Sequence, residues 1–169
     1  MIFLIYDLTK TFRSYVYPYL EKEDTWKKYH EKYYTPNKEI LNIHFSRWNS
    51  FSKERLKNEV ASWKRHQFQG TLEQVEDFNM VELEQALKKC EKIIGEIDLD
   101  IYIIIGDFRS GIYVNNVKGK NVIVVAVEVA LKYGNFREVI IPAISHEIFH
   151  LYHYNQFKNN NVPRKGDFL

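Results

Sequence analysis

Cysteine is almost missing: Cys90 is the only one among 169 residues. One thiol forbids an intramolecular disulfide and rules out a cysteine-based zinc cluster within a single chain, and it favours a reducing compartment. An excess of one charge is also lacking, since 24 basic residues face 22 acidic ones for a net charge of +2. No long-range field for nucleic acid or an anionic membrane follows from that balance, and short basic stretches such as Trp26-Lys27-Lys28 and Lys64-Arg65-His66 read as solvated helix faces. With 4 prolines and 7 glycines there is no low-complexity linker, and no internal repeat is visible. Long apolar runs are missing as well. The opening Met-Ile-Phe-Leu-Ile-Tyr is apolar for six residues only, has no basic region before it and runs into Asp7, so it fails as a secretory signal. Nothing approaches the length needed to cross a bilayer. The expectation is a soluble, cytoplasmic protein with neither nucleic acid nor membrane as partner, and with no oligomer indicated.

What is present suits a packed globule. At 45% hydrophobic and 15% aromatic residues the chain lies far from the composition of disordered segments. A single domain of this length removes roughly two-thirds of its unfolded surface from water. Residues 1 to about 95 carry helical signals, punctuated by Pro18, Pro36 and Gly70. Ser52 caps an amphipathic helix ending near Gly70, and Asp77 or Asn79 opens another that closes at Gly95, with Val81, Leu83, Leu87, Cys90, Ile93 and Ile94 as its apolar stripe. From Asp100 the pattern changes to β-rich runs over 100–106 and 121–129, with a short strand at 112–114 and a turn over 115–120. These predict a small, mostly antiparallel sheet, and so an α+β fold with a helical N-terminal half. Glu128 interrupts the second run; it marks either the strand's solvent face or a carboxylate turned toward a cleft. A last helix is predicted from Asn135 to about Phe157, with Asn135 and Glu138 as a capping box and Pro142 kinking it or marking the first turn of its regular part.

That helix carries His146, Glu147 and His150, the pattern HExxH. Histidines at i and i+4 stand one turn apart on one face, about 6 Å along the axis, so both imidazoles can converge on one metal ion. A glutamate directly after the first histidine can take a proton from water at such an ion. By residue frequency the string arises by chance at about the two per cent level in a chain of this length. On a helical wheel Ile140, Ile144, Ile148 and Leu151 form one stripe, with His146, His150 and His153 opposite, which separates a core face from a chemical face. The plainer alternative is a set of ordinary surface histidines with Glu147 as a solvated charge.

The segment Ile144-Ser-His-Glu-Ile-Phe-His150, with the strand run before it and the helix-rich first half, resembles the zincin metallopeptidases, and more closely the gluzincin-like bacterial proteins described as predicted zinc-dependent proteases. The resemblance covers about the last 70 residues. It implies His146 and His150 as zinc ligands and Glu147 as general base and proton shuttle in hydrolysis of a peptide or protein substrate. It also implies an edge strand that aligns an extended peptide, either 121–129 or 112–114. A catalytic zinc site has three protein ligands and one open position. The gluzincin third ligand is a later glutamate, but none follows Glu147, and the only later carboxylate side chain is Asp167. Where metzincins carry a third histidine this chain has Gln156. His153 lies about 10 Å from His146 along a straight helix, too far to share an ion. His30, His44 and His66 either complete the site from the helical half or, as is commoner for histidines in such lysine- and aromatic-rich segments, lie on its surface, and Tyr113, Tyr152 and Tyr154 read as packing residues or oxyanion donors. The expectation is one domain over 1–169, with a helical part to about 95, a sheet and site helix over about 96–157 and a tail over 158–169. It would be a fragment of a longer catalytic domain that holds the third ligand. A non-catalytic zincin-like binding module with a partner-completed site is the alternative.

Overall fold

A computed structural model describes residues 3–159 apart from Asn49 and Ile97. Asp167 and the rest of the expected tail from residue 160 lie outside the described residues. The chain opens with β1 (Phe3–Asp7), where the expectation was helix. Its residues alternate between half-buried and exposed, the period of a strand with one covered face. Helices follow: α1 (Thr9–Tyr15), α2 (Thr25–Tyr29) running through tighter and wider turns into α3 (Lys38–Phe45), then α4 (Lys53–Ser62), α5 (Gln69–Glu76) and α6 (Met80–Ile94).

Local capping explains several of these boundaries. The Ser52 hydroxyl accepts from the Arg55 N–H at 3.3 Å, and the Asn79 side chain from the Val81 N–H at 3.2 Å. Gly95 closes α6 at φ 85°, a conformation that glycine adopts without strain. Gly70 does not end a helix; it sits inside α5, and the expected single helix breaks earlier, at the extended residues Trp63 and Lys64. Of the expected α6 stripe, Leu83, Leu87 and Cys90 are buried, whereas Val81 and Ile93 are exposed.

The sheet holds β2 (Leu99–Ile104), β3 (Ile112–Val117) and β4 (Lys120–Ala126) beside β1, in the order β1-β2-β4-β3. β1 pairs parallel with β2 and β2 parallel with β4; only β3 and β4 are antiparallel. The sheet is therefore mostly parallel, not mostly antiparallel as expected. The physical reason is connectivity: the helical half is a long crossover from β1 to β2, which returns the chain in the same direction. The β3–β4 hairpin then folds back between the edge and β2. Its turn is tight, with Lys118 at φ 51° and Gly119 at φ 87°, the left-handed pair that matches strand twist. β4 ends at Ala126, and the expected last strand residues form the short helix α7 (Val127–Ala130) instead.

The Asn135 side chain accepts from the Glu138 N–H at 3.0 Å, opening a wide turn over Phe136–Ile140 that leads into α8 (Ile141–Asn159). Pro142 is the second residue of α8, directly after the wide turn over Phe136–Ile140, and so marks the first turn of the regular part of the helix. α8 lies against α6 and β3. Ile140, Ile144 and Ile148 are fully buried and Leu151 nearly so, as the wheel requires. Burying each such side chain contributes about 1.5–3 kcal/mol, so this stripe fixes the rotation of α8 and with it the direction of the opposite face. Among the described residues no helix is long and apolar enough to cross a membrane.

Candidate metal centre

On that opposite face α8 carries His146 and His150, both exposed, and Glu147, half-buried. The two imidazoles meet through their Nε2 atoms at 2.7 Å, with ring centroids 4.3 Å apart and planes at 88°. At that separation one ring donates its Nε2–H and the other accepts, so both cannot carry a proton on Nε2. A Glu147 carboxylate oxygen completes the group, each pair of donor atoms lying within 4.8 Å. Two nitrogens on a tetrahedral zinc at about 2.0–2.1 Å stand roughly 3.3 Å apart. The rings need open by only about 0.6 Å to reach that spacing, so the donor set fits a metal ion in place of the shared proton.

Among the described residues no other histidine, cysteine or carboxylate joins this group. His153 is exposed on the same helix and packs against the Tyr152 and Phe157 rings. His66 is exposed, while His30 is half-buried, tilted against Trp26 and stacked on Tyr34. Burial lowers the His30 pKa, with Lys53 adding to the effect. Of the tyrosines weighed as oxyanion donors, Tyr152 packs half-buried on the core and Tyr154 is exposed.

His44 overturns its expected surface placement. It is 1% exposed, with Nε2 3.1 Å from Asp107 Oδ1 and Nδ1 3.0 Å from the Tyr113 hydroxyl. Tyr113 is buried too, under the Arg47 guanidinium at 3.6 Å from its ring centroid, and burial raises its hydroxyl pKa strongly. Glu128 is likewise neither on a solvent face nor in the metal group: at 1% exposure it accepts hydrogen bonds from the Gly106 and Phe108 N–H groups. These four residues form a second polar centre. The sequence held a partial signal for it, since His44 sits among Ile40, Leu41 and Phe45, and Glu128 interrupts an apolar run.

The geometry thus yields a helix-borne His-Glu-His group that could hold a metal ion, reached from solvent, on an α+β scaffold. Comparison with family models, curated proteins and solved structures finds no match to this chain. What supports the resemblance to zincins is therefore only the HExxH group of His146, Glu147 and His150 on the C-terminal helix.

Proposed function

We propose that His146, Glu147 and His150 form the centre of a zinc-dependent peptidase, with a third ligand supplied from outside the described residues. The carrying observation is the convergence of both Nε2 atoms, 2.7 Å apart, with the Glu147 carboxylate within the same 4.8 Å group. In this reading His146 and His150 hold the ion, and imidazole donors suit zinc among the available divalent metals. Zinc at such a site lowers the pKa of water and polarises a carbonyl. The part played by the chain itself is proton handling: Glu147 accepts a proton from the attacking water on its carboxylate and returns it to the leaving amine. The substrate would be an extended peptide. β3 favours this, because it is the sheet edge next to α8 while β4 is paired on both sides, so only β3 of the two has backbone groups free to receive another strand.

The test is zinc affinity and peptide cleavage of the protein beside His146→Ala and Glu147→Ala variants. Loss of metal in the first and loss of cleavage with metal retained in the second support the reading. Unchanged zinc affinity in His146→Ala sinks it. A non-catalytic binding module is the second reading, favoured by one observation: the exposed group has no further ligand among the described residues. It calls for a zinc-dependent, chelator-reversible assembly that depends on protein concentration, without cleavage by either assembled form.

A further inference from the structure

The carboxyl ends of β2 and β4 enclose a cluster that the metal centre does not use. Glu128 Oε1 accepts from the Gly106 N–H at 2.9 Å and from the Phe108 N–H at 3.2 Å, while Oε2 is buried with no partner. An ionised oxygen in that position would be a charge without a donor, which buried carboxylates avoid by keeping a proton. Asp107 is placed differently, against His44 Nε2 and within 3.9 Å of the Arg109 guanidinium. Burial pushes the Asp107 carboxyl up, but the His44 hydrogen bond and charge, with Arg109, outweigh it and leave the group below its usual value. For Glu128 burial wins over the Gly106 N–H and the His44 charge, and its carboxyl is raised. Two carboxyl groups beside one buried histidine are thus driven apart in proton affinity.

The two halves of the cluster meet at one backbone atom. A Cβ on Gly106 would stand 2.2 Å from His44 Nε2 and 2.9 Å from Glu128 Oε1, so both side chains close on the same glycine. The other titratable groups whose charges bear on this cluster are known. Tyr29 of α2 has a buried hydroxyl that also lacks a partner, and burial, Tyr33 and Glu128 together raise its pKa. Tyr33 spans the end of β2, donating to the Ile105 carbonyl at 2.9 Å and accepting from the Ile105 N–H at 2.8 Å. Glu59 of α4 pairs with Arg109, and Asp7 at the end of β1 acts on Tyr33.

We propose that Glu128 is a neutral carboxylic acid in the folded protein and that, with His44 and Asp107, it makes a proton-dependent lock on the loop between β2 and β3, and so on edge strand β3. Protonated, Oε2 becomes a donor, with the orphaned Tyr29 hydroxyl of the same cluster as its acceptor through one internal water. Losing the proton leaves a bare charge inside, relieved only if water enters. The loop is what must yield, because Oε1 is tied to its N–H groups at 106 and 108, and the same loop carries Asp107 and leads into Tyr113 on β3. The proposal does not depend on a metal at His146 and His150.

A group whose folded pKa is raised holds its proton longer folded than unfolded. Stability is fully present below the ordinary glutamate value and is lost as pH rises toward the folded value, the unfolded-to-folded ratio growing about tenfold per pH unit in that window. The experiment is thermal unfolding from pH 5 to 9, with hydrogen exchange of the Ile112–Val117 amides corrected for its intrinsic pH dependence, on the full chain and on Glu128→Gln. The glutamine keeps the acceptor at Oε1 and supplies a permanent donor at Oε2. The expected result is that the parent loses melting temperature and β3 protection with rising pH while Glu128→Gln is flatter and more stable at pH 8. Infrared difference spectra of the parent at pH 7 should hold a protonated-carboxyl band that vanishes in the variant. An unchanged pH profile in Glu128→Gln, or absence of that band, overturns the proposal.

Discussion

Replacing Gly106 by alanine tests whether the buried polar cluster governs the fold as strongly as its geometry requires. The added methyl would sit 2.2 Å from His44 Nε2 and 2.9 Å from His44 Cδ2 and Glu128 Oε1, distances at which something must move. His44 cannot retreat freely, since it is fully enclosed and held at both ring nitrogens by Asp107 and Tyr113. Overpacking of this kind costs about 1–3 kcal/mol, and each buried polar group left without a partner adds about 1–3 kcal/mol. Displacing His44 strands the Tyr113 hydroxyl, while Asp107 Oδ1 keeps the Arg109 N–H, so a total of about 2–6 kcal/mol is expected, a large share of the roughly 5–15 kcal/mol that holds a domain folded. At about 2–4 °C per kcal/mol for a chain of this size, melting should fall by roughly 4–24 °C. The control is Gly70→Ala, where a Cβ meets nothing within 4 Å inside α5, and a gain of about 0.5 kcal/mol is expected. Calorimetry or circular dichroism reads both. If Gly106→Ala melts within 2 °C of the parent by about the same measure as the control, the close approach of His44 and Glu128 to this glycine is wrong.

His150→Ala should reduce zinc affinity by more than the roughly 10–100-fold typical of losing a supporting hydrogen bond, because a direct donor is removed; competition with a chromogenic chelator measures it. Ile148→Ala, which empties a fully buried position on α8, should cost about 2–5 kcal/mol in urea unfolding with an unchanged slope. Asn135→Ala removes the acceptor for the Glu138 N–H at the entry to α8 and should cost about 1 kcal/mol, read as a small drop in melting temperature. A loss comparable to that of Ile148→Ala would mean that the cap, and not the buried stripe, fixes the helix.

Period and spacing carried the features that depend on neighbours along the chain. The α8 stripe, the caps at Ser52, Asn79 and Asn135, and the i, i+4 placement of His146 and His150 are all set within a turn or two, and the structure has them where the sequence predicts. What sequence reading missed depends on partners far along the chain. β1 is too short to declare itself, and it becomes a strand because β2, some 90 residues later, offers a parallel edge. The same crossover reverses the expected sheet polarity.

The polar residues show the difference most sharply. Local surroundings point to a surface His44 and leave Glu128 open between solvent and a cleft, yet both close on Gly106 from positions 62 residues before it and 22 after it. His146 and His150, read as a site, stay at the surface. A histidine pair four apart needs only a helix to converge, so its chemistry is visible in one dimension. A buried histidine needs an Asp107 and a Tyr113 supplied by a loop and a strand from elsewhere, since a histidine without partners would be driven to the surface. The burial of His44 is therefore a property of the topology: only when β2 and β4 lie side by side do their carboxyl ends bring Asp107 and Glu128 to the end of α3. Any change that slips β4 against β2 should expose His44 before it disturbs the helix-borne pair, and the imidazole proton signals of His44 and His146 under mild denaturant would record that order.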